Sequence, residues 1–209
     1  MWLPRLFNLS MMMKWCLLFF LLLSITVSCA QKKESVYDRY LDYNLARFER
    51  RSAQAFEMGK DLLDSAGNLP ANTRIAFYNS MAKLYEDNNQ PDNAIFYDEK
   101  VVVAAPDYYV AQRALGYLYL ETVNELQAKL DAAPENTPEY RTLQASYKAA
   151  ALKALPHLEK AQACDPSAET LAIIRKLYTQ IADAEALRTL NTRLANLGKN
   201  CLDILSDVP

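Results

Sequence analysis

From Val36 onward, apolar residues return every three or four positions, and that spacing persists to about Gly198. A period near 3.6 marks amphipathic helices. No stretch alternates Val, Ile or Thr with polar residues at period two, so strands are not expected. Tyr37, Tyr40, Leu41, Leu45 and Phe48 fall near one face of a first helix. A second runs from about Ala53 to "SAGN", with Gly67 as its C-terminal cap. "LPANTR" precedes a third, capped by Asn72 or Thr73 and carrying Phe77, Tyr78, Met81, Leu84 and Tyr85. "EDNNQPDNA" is a polar turn, and Pro91 suits the first turn of the next helix, Asp92 to Val103. Helices joined by so few residues lie antiparallel.

The pattern then repeats. "AIFYDEKVVVAAP" (Ala94 to Pro106) and "ALPHLEKAQACDP" (Ala154 to Pro166) share a leading alanine, a small or β-branched residue seven places on (Val101, Ala161) and a closing proline. A hairpin this short cannot bury its apolar face alone, whereas stacked copies can. Between the copies, "RALGYLYLE" opens a helix whose partner arrives 26 residues late. "ETVNELQAKLDA" prolongs that helix through Val123, Leu126 and Leu130. "APENTPE" turns, with Thr137 as cap and Pro138 at the first helical position. "YRTLQASYKAAALKA" returns. The hairpin is therefore longer, by about 20 Å, and Pro156 should kink its returning helix. A weaker copy follows Pro166, with Leu171, Ile174, Leu177 and Tyr178, then Ala186, Leu190, Leu194 and Leu197, and Gly198 as a cap.

Tyr78, Met81, Ala82, Tyr85, Ala94 and Val101 stand at the spacings of the tetratricopeptide repeat, as do Leu115, Gly116 and Tyr119 in the next copy. The chain resembles that family from Ile75 to about Gly198. It departs at Asp98, where an aromatic is usual. The resemblance implies an all-α stack of antiparallel hairpins, a solenoid with one elongated member. Its units would be residues 36–70 (a divergent or capping hairpin), 71–106, 107–166 with an insertion at about 120–150, and 167–205. It also implies a groove lined by the first helix of each pair. Asn79, Lys83 and Glu86, then Arg113, Tyr117 and Leu120, are the partner-binding candidates there, since Arg and Tyr commonly anchor interfaces.

Residues 1–30 break the periodicity. Arg5 and Lys14 are the only charges before "WCLLFFLLLSITV", Trp15 to Val27. This thirteen-residue, largely apolar core suits a secretory signal and falls short of the ~20 residues a membrane span needs. "TVSC" resembles a bacterial lipobox, which implies lipidation of Cys29 and membrane attachment through that lipid. Thr26 stands where leucine is usual. Cleavage after Ala30 is the alternative, because Ser28 and Ala30 are small. Without Arg5 and Lys14 the chain has 21 basic against 25 acidic residues, a net charge of −4, and no basic stripe. Nucleic acid is therefore not an expected partner.

Export alters the meaning of the thiols that remain. Cys164 and Cys201 each close a second helix in successive copies, so they can lie side by side, either bonded or as two small buried thiols. His157, the single histidine, reads as a helix-surface residue, because no serine or exported cysteine with an orienting carboxylate is apparent near it. The acidic pairs Asp61 with Asp64 and Glu121 with Glu125 read as solvated faces. No glycine-rich phosphate loop, CxxC or HExxH occurs, so no cofactor, metal or small-molecule substrate is expected. The expectation is a non-enzymatic adaptor of the cell envelope that binds a protein or peptide. A structural subunit using the long hairpin is the alternative, and an enzyme is the least favoured reading.

Overall fold

The structure, a computed structural model, describes residues 34–205. The signal segment and Cys29 lie outside the described residues. Eight helices are present among them: α1 (Val36–Phe48), α2 (Ser52–Leu63), α3 (Ala71–Asp87), α4 (Pro91–Ala104), α5 (Tyr109–Ala132), α6 (Pro138–Cys164), α7 (Ala168–Gln180) and α8 (Ala184–Leu197). They pack as sequential antiparallel pairs, and all fall within one compact unit beginning at Val36.

The four turns inside these pairs share a backbone device. Arg50, Asn89, Asn136 and Ala182 have φ of 58°, 56°, 66° and 55°, and each stands two residues before its second helix. In three of the turns the next N–H reaches back five residues to close the first helix: Arg51 to Ala46, Gln90 to Tyr85 and Asp183 to Tyr178, each at 2.9 Å. This reversal satisfies carbonyls that the helix end would leave unpaired. Asparagine tolerates the left-handed region, whereas arginine and alanine are disfavoured there.

Ala94, Val101, Ala154 and Ala161 are buried, and α4 and α6 each end two residues before their closing prolines. Small residues at these places let helices approach. At Gly116 a Cβ would sit 2.8 Å from Leu158 Cδ2 and 3.1 Å from the Leu158 nitrogen, so glycine is what permits α5 and α6 to meet. One core cluster gathers Tyr43, Phe56, Leu62, Phe77, Met81 and Tyr85. A second gathers Leu115, Tyr147, Leu155, Leu158, Ile174 and Leu190. The tyrosines are largely core material: Tyr43 meets Phe77 edge-on at 5.2 Å and shares a hydrogen bond with Ser80 at 2.7 Å.

Several local expectations are corrected. α1 buries Tyr40, Tyr43 and Ala46, while Leu41, Leu45 and Phe48 face solvent. Both stripes have helical spacing, and the aromatic contacts to Phe77 select the first. Gly67 lies in a short 3₁₀ turn, Ala66–Asn68, and has no left-handed conformation. α3 starts after Pro70, so Thr73 is inside the helix and buried, and neither it nor Asn72 is its N-cap. Gly198 does end α8, but with φ −74°; its need for glycine is the Ala163 carbonyl, 2.9 Å from where a Cβ would be. Pro156 lies inside α6, which runs on past it to Cys164. That proline is exposed, so water can satisfy the carbonyl it leaves unpaired. Thr137 caps α6 as expected, accepting from the Tyr140 N–H at 3.1 Å.

Candidate functional site

The groove candidates have distinct surroundings. On α3, Asn79 donates to the Tyr108 hydroxyl at 3.3 Å, and exposed Lys83 pairs with Asp87 at 2.6 Å and with Glu86 at 3.6 Å. The Asp87 hydrogen bond holds the Lys83 ammonium above its usual range. On α5, Arg113 pairs with Asp165 and lies over the Tyr109 ring at 5.5 Å. The Tyr117 and Thr170 hydroxyls hydrogen-bond at 3.0 Å, and Leu120 packs on the second core cluster. The α5 trio thus makes internal contacts, two of them to the segment that leads into and forms α7.

The prolonged hairpin overhangs the start of α4 and makes a cleft of about 460 Å3. Asp92 and Ile95 line it from α4, Tyr119 and Thr122 from α5, and Ala149, Ala150 and Lys153 from α6. The Lys153 ammonium lies 4.2 Å from the Tyr119 ring centre and 3.3 Å from Glu99 Oε1. The Tyr119 hydroxyl donates to the same carboxylate. That hydrogen bond, with Lys153 beside it, holds the Glu99 carboxyl below its usual range. Burial and the Glu99 contact together push the Tyr119 phenol up.

Behind Tyr119 stands His157, with ring centres 5.6 Å apart. It is half-buried rather than a surface residue, because α6 turns it toward α5. Gln112 donates its amide to the Pro106 carbonyl at 2.8 Å, which leaves its oxygen to accept from His157 Nδ1 at 2.6 Å. Nδ1 therefore carries the proton, and burial lowers the imidazole's pKa and favours the neutral ring. The cleft so presents an ammonium, a hydroxyl and a carboxylate (Lys153, Thr122, Asp92) over a floor of Ile95, Ala149 and Ala150. Such a lining can hydrogen-bond a peptide backbone and seat a small apolar side chain. No sequence motif marked these residues; the only signal for the cleft was the 26-residue excess that lengthens the hairpin.

Cys164 and Cys201 are joined by a disulfide. Among the described residues no three His, Cys, Asp or Glu side chains gather in a metal-ligand arrangement, and no helix is long and apolar enough to cross a membrane. No family model matches the chain, and no curated protein matches it.

Proposed function

We propose that the chain is a non-enzymatic protein-interaction module of the bacterial cell envelope, built from tetratricopeptide-like hairpins. It holds a segment of a partner protein in the cleft beside its long hairpin. The observation that carries this reading is the cleft itself: an opening with polar groups of both signs and an apolar floor, created by the one unit that departs in length. Envelope location is supported by the apolar leader in the sequence and by a disulfide suited to an oxidising compartment. Arg113 and Tyr117 belong to the groove that the family resemblance implies. Their internal contacts favour the cleft over that groove.

A second reading has its own observation. Leu41, Leu45 and Phe48 form an exposed apolar stripe on α1, with Phe48 82% exposed, which suits permanent packing in a larger assembly. Photo-crosslinking in the native host separates the two. A photoreactive residue at exposed Thr122 or Ala149 is expected to trap the same protein, a probe at Leu45 in the α1 stripe is expected to trap none, and Lys153→Glu is expected to abolish the adduct. Equal trapping from Leu45, or none from either cleft position, would overturn the cleft reading.

A further inference from the structure

After Gly198 the chain leaves the helices and crosses the junction of α4 and α5. The Leu202 N–H donates to the Asp107 carbonyl at 2.8 Å, and the Tyr109 N–H donates to the Leu202 carbonyl at 3.1 Å. The result is a one-residue parallel β-bridge at Tyr108. Leu205 packs on the small cluster of Val101, Tyr108 and Ala111. Together with Leu202 and Ile204 it lines an open cleft of about 270 Å3, whose other wall is Asn72, Ile75, Ala104 and Ala105.

Packing alone holds this tail weakly. Leu202 is 40% exposed and Ile204 73%, so little apolar area leaves water. Two other devices fix it. Buried Lys160 pairs with Asp107 at 2.7 Å and donates to the carbonyls of Leu197, at 3.1 Å, and Asn200. The Cys164–Cys201 disulfide ties the residue next to Leu202 to the end of α6. Backbone pairing is indifferent to side-chain identity, so another extended segment with the same apolar spacing satisfies the same two backbone groups and the same cluster.

We propose that this edge is a docking site for an extended peptide segment with apolar residues at i and i+3, that the tail occupies it in cis, and that the disulfide latches the tail in place. Opening is a two-electron reduction. A dithiol donor breaks the S–S bond, gives two protons and two electrons to form two thiols, and itself becomes a disulfide. The reduced tail remains tethered and still competes, so a partner gains access by exchange rather than by entering an empty site.

The probe is a fluorescein-labelled peptide of residues 199–209 carrying Cys201→Ser, titrated into the full chain and read by anisotropy. Three forms are compared: oxidised, reduced, and a released-tail chain carrying Cys201→Ser, Leu202→Asp and Leu205→Asp. Binding is expected to tighten in that order, by at least roughly tenfold from the oxidised to the released form. It should be lost when the peptide itself carries Leu202→Asp and Leu205→Asp. Lys153→Glu, in the cleft of the proposed function, should leave probe binding unchanged, so the two readings fail separately. Hydrogen exchange on the unmutated chain gives a second measurement that does not depend on the variant folding. Reduction is expected to strip protection from the Leu202 and Tyr109 amides while those of α3 to α6 keep theirs. A helical released-tail chain that ignores the probe would overturn the docking edge. Equal probe binding by the oxidised and reduced forms, or undiminished amide protection after reduction, would overturn the latch.

Discussion

Asp98 is a carboxyl group in the wall of a helix pair, only 3% exposed. Burial, with Glu86 adding its negative charge, pushes its pKa from 3.8 up to about 8. Below the lower value both folded and unfolded states are protonated and the fold bears no penalty. As pH rises from there toward 8 the unfolded chain gives up its proton first, so stability falls across that window and the loss is complete above it. Asp98→Asn keeps the shape without the charge. Its stability relative to the unmutated chain should rise by at least about 1 kcal/mol between pH 5 and pH 8.5 in urea denaturation; parallel pH curves would contradict the assignment. Glycines offer a matched pair. Gly116→Ala forces a methyl against Leu158 and should cost about 1–3 kcal/mol. Gly67→Ala meets nothing within 4 Å and should stabilise by about 0.4–1 kcal/mol. Ala182 sits at φ 55°, so Ala182→Gly should raise stability by roughly 1 kcal/mol. At this scale the sequence is legible where small size is the requirement, as at Ala94, Ala154 and Gly116. It is not legible at Asp98 or His157, because which polar residue becomes buried depends on how neighbouring pairs dock.

The elements follow from period and punctuation. Pro91, Pro106, Pro138 and Pro166 bracket the second helices of the two middle pairs, and the helices start and stop beside them. The first helix carries two apolar stripes, and only contact with α3 decides which is buried. The long hairpin, of 24 and 27 residues, is a consequence of sequence that periodicity alone exposes. How the last pair attaches to it is not readable from pattern. Arg193 of α8 grips Glu159 of α6 through two nitrogens, at 2.5 and 3.0 Å, and the Tyr178 hydroxyl of α7 donates to the same carboxylate at 2.7 Å. Glu159 is 4% exposed. Arg193→Ala leaves that carboxylate buried and without its cation, and should cost about 3 kcal/mol, read as a lowered urea midpoint. Replacing both Glu159 and Arg193 by methionine should recover most of the loss. A double variant as unstable as the single would assign the effect to packing instead.

The described residues form a row of helix pairs, and the tail that follows α8 lies across the junction of α4 and α5; no periodicity foretells that return, and only the spacing of Cys164 and Cys201 points to it. The bridge closes a loop of 37 residues, so reduction should lower stability by roughly 3–4 kcal/mol in the chain-entropy account. An opening lies where the long member of the row overhangs its shorter neighbour, and the proposed function rests on that opening. The most direct test is an equilibrium titration with the protein that Thr122 and Ala149 crosslink. A chain carrying Ala149→Arg and Lys153→Glu, with unchanged helicity and melting temperature, should bind at least about 2 kcal/mol more weakly, roughly thirtyfold. Arg113→Ala with Tyr117→Ala should fall well short of that loss. Native affinity in the cleft variant, with the loss appearing instead in the Arg113 and Tyr117 variant, would contradict the account and return the partner to the groove of first helices.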